Sequence, residues 1–173
     1  MLIAIMSDSH NNRDELRKAI ELINEQKCKI LIHCGDFTSP SILYEFKDFS
    51  GKVYGVFGNI DTEIGRMQKL TSTEINNLQF MGTEGTIVIE EKRIAFTHYP
   101  EIARMMAREG NYHIVFYGHT HRYNVNKISH KTLLINPGEI SGRYGKSSFI
   151  FYNLSTEEIK NCFYRSVRLF PRD

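Results

Sequence analysis

Apolar residues fall along this chain in short continuous runs, each closed by polar and glycine residues. Leu2–Met6 is apolar throughout, as expected of a strand covered on both faces. Asn11 and Asn12 come next as candidate caps for a helix. In that helix Leu16, Ala19, Ile20 and Ile23 recur at i, i+3, i+4 and i+7, which makes one apolar stripe. Glu15, Arg17, Lys18 and Glu21 fall largely outside it. A second run at residues 30–32 precedes a predicted helix over residues 41–47, with Pro40 near its start. A third strand is predicted at residues 53–57. Strands alternating with helices point to β-α-β units and a largely parallel sheet.

Past residue 85 the pattern turns richer in strands. Residues 86–90 and 93–97 flank Glu91 and Lys92 and read as a hairpin. A helix over residues 101–108 ends at Gly110. Ile114–Tyr117 is another apolar run. Residues 123–128 and 132–135 form a second predicted hairpin, and Ser147–Asn153 and Ile159–Tyr164 complete the set. The expected fold is α/β, with two packed mixed sheets and helices outside them. No linker, repeat or low-complexity segment divides the chain.

Composition bounds the picture. The 173 residues are 41% hydrophobic and 24% charged, the profile of a globular protein. That length fits one domain spanning residues 1–173. The net charge of +2 does not by itself call for a nucleic-acid partner. Cys28, Cys34 and Cys162 are odd in number and lack a C-x-x-C pairing, which argues against a disulfide framework or a thiolate metal site. A reducing compartment is expected. The apolar run Leu2–Met6 is only five residues long and Asp8 follows almost at once, so no signal peptide is expected. No run approaches the ~20 apolar residues that span a bilayer. The expected location is the cytoplasm, with no membrane partner.

The chemistry lies immediately after each run. Asp8 and His10 stand after the first, Asp36 after the second, and Asn59 and Asp61 after the third. His98 comes after residues 93–97, and His119 and His121 after Ile114–Tyr117. In open α/β sheets, sites lie beyond the carboxyl ends of strands, so these five groups can converge. In extended chain, residues i and i+2 point the same way, which would pair Asp8 with His10 and His119 with His121. The candidate set mixes carboxylate, amide oxygen and imidazole without thiolate. Such a set suits Mn, Fe, Zn, Ni or Co, with Mg less suited to so much nitrogen. Seven donors exceed one tetrahedral ion and fit two divalent ions sharing a carboxylate. His33 lies within an apolar run and is expected in the core. His113 and His130 are expected at the surface.

In this order, Asp8-Ser9-His10, Gly35-Asp36, Gly58-Asn59-Ile60-Asp61, Thr97-His98 and Gly118-His119-Thr120-His121 resemble the motifs of the calcineurin-like metallophosphoesterases. The small single-domain YfcE-type phosphodiesterase branch is the nearest in pattern, including its Asn136-Pro137-Gly138 turn. The resemblance implies a four-layer α-β-β-α sandwich and a metal-dependent phosphodiesterase. It also implies that Asp8, His10 and His121 hold one ion, that Asn59, His98 and His119 hold the second, and that Asp36 bridges them. Such ions lie ~3.5–4 Å apart and activate a bridging water for in-line attack. Mn is the first choice of metal. Asp36, Asn59 and Asp61 are the candidate catalytic residues, and Asn59 and His98 the candidate substrate contacts.

Two departures from the pattern stand out. The family often carries a His after the motif Asn, implicated in protonating the leaving group; here the residue is Ile60. The Thr97-His98 pair is followed by Tyr99-Pro100 rather than Gly-His. A small phosphodiester is therefore the expected substrate. A binding scaffold on the same fold, like a eukaryotic retromer subunit that resembles this branch, is one alternative. A nuclease is the other, though the chain lacks a basic stripe; Arg165 and Arg168 read as solvated surface. Tyr112, Tyr117, Phe149 and Phe151 fill a core or line an interface between copies, which leaves a homo-oligomer open.

Overall fold

The computed structural model of the chain describes residues 1–128 and 132–164. Its first sheet has six strands: β1 (Leu2–Met6), β2 (Ile30–His33), β3 (Lys52–Gly55), β4 (Leu78–Phe80), β10 (Ser147–Asn153) and β11 (Ile159–Tyr164). They lie in the order β11-β10-β1-β2-β3-β4. β1 to β4 run parallel to one another, whereas β10 is antiparallel to both β1 and β11.

The second sheet contains β5 (Glu84–Ile89), β6 (Lys92–Thr97), β7 (Ile114–Tyr117), β8 (Asn124–Lys127) and β9 (Leu133–Asn136). Its order is β5-β6-β7-β9-β8. The central β6, β7 and β9 are parallel, and antiparallel strands close both edges. Both sheets are therefore mixed, as expected.

Residue alternation along the strands sets the layers. Ile3, Ile5 and Ile32 of the first sheet pack with Ile94, Phe96, Ile114, Phe116 and Ile135 of the second, forming a core between the sheets. Ala4, Met6, Leu31 and Val53 face the other way, against the first helix, α1 (Arg13–Glu25), and the segments around residues 37–49 and 67–78. Ala95, Val115, Tyr117 and Leu134 cover the outer face of the second sheet, together with Ala103, Met106 and Ala107. Helix, sheet, sheet, helix is the resulting order.

The α1 stripe forms as predicted: Leu16, Ala19, Ile20 and Ile23 are buried. Each large side chain among them contributes about 1.5–3 kcal/mol by leaving water. The Asn12 side chain accepts from the Glu15 N–H, and Asp14 and Glu15 sit in the positively polarised first turn. The segment expected as a helix at 41–47 is a 3-10 helix, Pro40–Asp48. Its buried Pro40, Leu43 and Phe46 fall three apart, the spacing at which 3-10 side chains stack on one face.

Two elements were not foreseen. Helix α2 (Ile64–Thr73) buries only Met67, so it has almost no apolar stripe to read. β4 is three residues long. The third strand also ends earlier than predicted, at Gly55. Phe57 instead stacks on Phe80 with ring centroids 4.2 Å apart, and its N–H reaches the Gly82 carbonyl. In the β5–β6 hairpin the turn residues are Glu90 and Glu91, one position earlier than expected. Both have positive φ, 46° and 64°, as a two-residue hairpin turn requires. Helix α3 (Pro100–Glu109) starts on Pro100 and ends at Gly110, whose φ is 71°.

Tyr117, Phe149 and Phe151 are buried core residues, and Tyr112 is partly buried against the outer core. His33 is wholly buried, stacked on Phe37 and bonded to the Ser9 hydroxyl. His113 is exposed. His130, Arg165 and Arg168 lie outside the described residues. Among the described residues no helix is long and apolar enough to cross a membrane.

Candidate metal centre

The loops after β1, β2, β3, β6 and β7 meet at one end of the two sheets. Backbone bonds join them directly. The Asp8 and His10 amides donate to the carbonyls of Gly35 and Asp36, each at 3.0 Å, and the Gly118 amide donates to the His98 carbonyl at 3.2 Å. The His119 amide donates to Oδ2 of Asp8 at 3.1 Å. One ligand loop is thus held by a candidate ligand from the other sheet.

The chain turns sharply to do this. Asp8, His10, Asp36, His119 and His121 all have φ between 43° and 69°, where a side chain costs on the order of 1 kcal/mol or more. The expectation that Asp8–His10 and His119–His121 pair through extended chain is therefore corrected: they converge through left-handed turns. Two glycines permit the close packing. A Cβ on Gly58 would lie 2.0 Å from Oδ1 of Asp36, and one on Gly118 would lie 2.0 Å from the Ser7 hydroxyl.

The seven candidate donors cluster in two groups. In the first, Nε2 of His10 and Nε2 of His121 are 3.2 Å apart, and Oδ1 of Asp8 is 3.4 Å from the latter. In the second, Nε2 of His98, Nδ1 of His119 and Oδ1 of Asn59 lie within 2.9–3.2 Å of one another. Asp36 stands between them, with Oδ2 3.8 Å from His10 Nε2 and Oδ1 3.4 Å from His98 Nε2. Ring nitrogens facing each other at such distances share a common focus.

The partners on the far sides of the rings fix what faces that focus. Nδ1 of His98 is 2.9 Å from the Cys34 carbonyl and so carries the proton, leaving Nε2 as a lone pair. Nδ1 of His121 is 2.7 Å from Oε2 of Glu139, which leaves its Nε2 inward too. Burial alone would raise the Asp8 pKa, but the neighbouring His10, His98 and His121 hold it below the usual carboxylate range. Asp36 is displaced upward, chiefly by burial and by the charges of Asp8 and Asp61, against the pull of His98 and the Ile60 amide.

Asp61 is buried but does not face the focus. Its Oδ2 accepts from the amides of Asp36 at 3.0 Å and Gly58 at 2.8 Å, and its Oδ1 from Thr38 at 2.7 Å. Ile60 donates its amide to Oδ1 of Asp36 at 3.2 Å.

A phosphodiesterase of Methanocaldococcus jannaschii is 33% identical over 144 residues, 82% of this chain and 86% of its own length. The calcineurin-like phosphoesterase superfamily domain matches residues 1–158. The chain belongs to that superfamily. The solved structure of an archaeal phosphodiesterase superposes on this metallophosphoesterase with a TM-score of 0.87 at 28% identity, covering 95% of this chain and all of the other. The Vps29 protein of Chaetomium thermophilum superposes with a TM-score of 0.68 at 16% identity, over 95% and 96% of the two chains. That second likeness concerns the fold alone.

Membership implies divalent metal ions, and the donors of this metallophosphoesterase fit them. Oδ1 of Asp8 is buried with no hydrogen-bond partner, an arrangement that is costly unless a cation compensates it. Donor atoms of Asp8, His10 and His121 all lie within 4.8 Å of one another, as do those of Asp8, Asp36 and His98. Tyr99, where the expected pattern has Gly, stands perpendicular to His98 with ring centroids 5.3 Å apart, and its centroid is 6.4 Å from that of His119. Sequence reasoning missed Glu139. It stands just past β9 and the Asn136-Pro137-Gly138 turn, a sixth strand end with an acidic residue, and the strand-end rule used for the others would have found it.

Proposed function

We propose that the protein hydrolyses phosphodiester bonds in a small substrate with the help of two divalent metal ions. Asp8, His10 and His121 would hold one ion, Asn59, His98 and His119 the other, and Asp36 both. The observation that carries this reading is the convergence of seven donors from both sheets into two adjacent groups with one carboxylate between them. When bound, such a metal pair lowers the pKa of a coordinated water and neutralises charge on phosphoryl oxygens.

The chain's own residues prepare that chemistry. The Cys34 carbonyl fixes the tautomer of His98, so that ring presents a bare nitrogen. Asp61 anchors the loop of Asp36. Asn59 is solvent-exposed, so its amide N–H is available to a phosphoryl oxygen beside His98. Ile60 brings no acid to the leaving group. General-acid help is worth ~10²–10⁴-fold, so esters with good leaving groups are the better substrates. Mn is the first metal to try, given the balance of nitrogen and oxygen donors. The unpaired thiols of Cys28, Cys34 and Cys162 support a cytoplasmic setting.

The test is hydrolysis of bis-p-nitrophenyl phosphate after loading with Mn, Ni, Fe, Zn, Co or Mg, together with elemental analysis. Near two ions per chain, and turnover abolished by Asp36→Ala, are expected. Folded protein that turns over no diester with any of the six metals overturns the reading. Fewer than one ion per chain would favour a scaffold.

A further inference from the structure

Glu139 is 2% exposed and lies beyond the Asn136-Pro137-Gly138 turn rather than in any of the five ligand motifs. Buried carboxylates are costly unless every oxygen is satisfied. Here they are. Oε2 accepts from Nδ1 of His121 at 2.7 Å and from the Ser141 hydroxyl, and Oε1 accepts from the Tyr144 amide at 2.7 Å. The Glu139 backbone is held as well, its carbonyl accepting from the Ser148 amide at 2.7 Å. The flanking Ile140 and Ser141 amides donate to the carbonyls of Ser7 and Asp8. The carboxylate is thus braced against the β1 loop that carries Asp8 and His10.

We infer that Glu139 is a positioning residue for the metal centre: it holds His121 in the tautomer and orientation that aim Nε2 at the focus shared with Asp8 and His10. The geometry favours this over simple packing. A carboxylate accepts only, so the Nδ1 facing it must carry the proton, and the opposite nitrogen must be the bare one. Removing the carboxylate frees the ring both to exchange tautomers and to turn. Partners of this kind behind a ligand histidine are worth 10–100-fold in metal affinity. Only the group containing His121 depends on Glu139. The other group has its own partner in the Cys34 carbonyl behind His98, so the effect falls on one of the two ions.

The metal part of this inference rests on the proposed two-ion reading, and the test separates the two. Long-range proton–nitrogen NMR at pH 8 reads histidine tautomers in metal-free protein. The parent should show His121 protonated on Nδ1, Glu139→Gln should keep that state because its amide oxygen still accepts, and Glu139→Ala should lose it. Calorimetric titration with Mn alone should then show one of two sites weakened 10–100-fold in Glu139→Ala and partly rescued in Glu139→Gln. An unchanged His121 tautomer in Glu139→Ala, or equal weakening of both sites, overturns the inference. Should the parent bind no Mn, the two-ion reading fails, while the tautomer comparison still decides the role of Glu139. Glu139→Gln retains one oxygen for His121 and Ser141, giving up only the Tyr144 bond, and so serves if the alanine variant does not fold.

Discussion

Asp61 directs both carboxylate oxygens onto backbone amides, those of Asp36, Gly58 and Thr38. Charged acceptors make hydrogen bonds worth about 1.5–3 kcal/mol, and buried donors left without a partner cost a similar amount. Asp61→Ala should therefore lower stability by about 3 kcal/mol in urea unfolding and weaken Mn binding as Asp36 loses its anchor. Asp61→Asn keeps one acceptor and should lose less. Unchanged stability in the alanine variant would count against the anchoring role. A second buried residue gives a pH signature. Burial pushes the His33 pKa down to about 3, whereas in the unfolded chain it is near 6.5. The unfolded state therefore takes up a proton first as pH falls. Its stability contribution is present above pH 6.5 and is lost as pH drops toward 3, by about 1.4 kcal/mol per unit. His121, whose pKa is raised despite burial by its bond to Glu139 and the charge of Asp8, is protonated in both states below pH 6 and adds no slope there. The depressed Asp8 and Glu139 act at lower pH. Unfolding of metal-free protein between pH 6 and 4.5 should thus be steeper in the parent than in His33→Asn. Parallel slopes would sink the assignment.

At the scale of strands and loops, the same feature explains what was legible and what was not. Strands buried on both faces leave continuous apolar runs, and polar residues just beyond them stand out. All seven candidate ligands were readable for that reason, and so was the alternation of β1, α1 and β2. Helix α2 was not, because one buried Met67 makes no stripe. Asp61 was readable as a polar residue in the right loop, but its direction was not, since three amides from two loops decide it. Nor was the left-handed path of Asp8, His10, His119 and His121, because it arises where loops from separate strands bond to one another. The loops' closeness makes a sharp prediction. Gly118→Ala would set a Cβ 2.0 Å from the Ser7 hydroxyl and 3.0 Å from Oδ2 of Asp8. Crowding of that kind costs typically about 1–3 kcal/mol. Displacing Asp8 should also weaken Mn binding about tenfold, the equivalent of roughly 1.4 kcal/mol. Gly65→Ala, in α2 with no atom within 4 Å of the new Cβ, should instead raise stability by about 0.5 kcal/mol. Calorimetry and urea unfolding of the two variants check the contrast; equal effects would show that loop crowding is not what matters.

Across the whole molecule, the candidate ligands divide between the two sheets. Asp8, His10, Asp36 and Asn59 come after strands of the first sheet, and His98, His119 and His121 after strands of the second. Each proposed ion would therefore draw donors from both, fastening the sheets together at one end of the apolar layer between them. Binding to the native state alone stabilises by mass action, about 2.7 kcal/mol per site at one hundred times Kd. For a chain of this size, 1 kcal/mol moves Tm by about 2–4 °C. Mn at that concentration should raise Tm by roughly 5–11 °C per ion, and a chelator should reverse the shift. Because both sheets supply each group, Asp8→Ala from one and His121→Ala from the other should remove the same increment, and the double variant should remove little more than either alone. Additive losses would mean that the two residues serve different ions. A Tm that does not move under Mn concentrations that saturate the protein in calorimetry would mean that the ion binds the unfolded chain as well, and that the two sheets do not depend on it to stay joined.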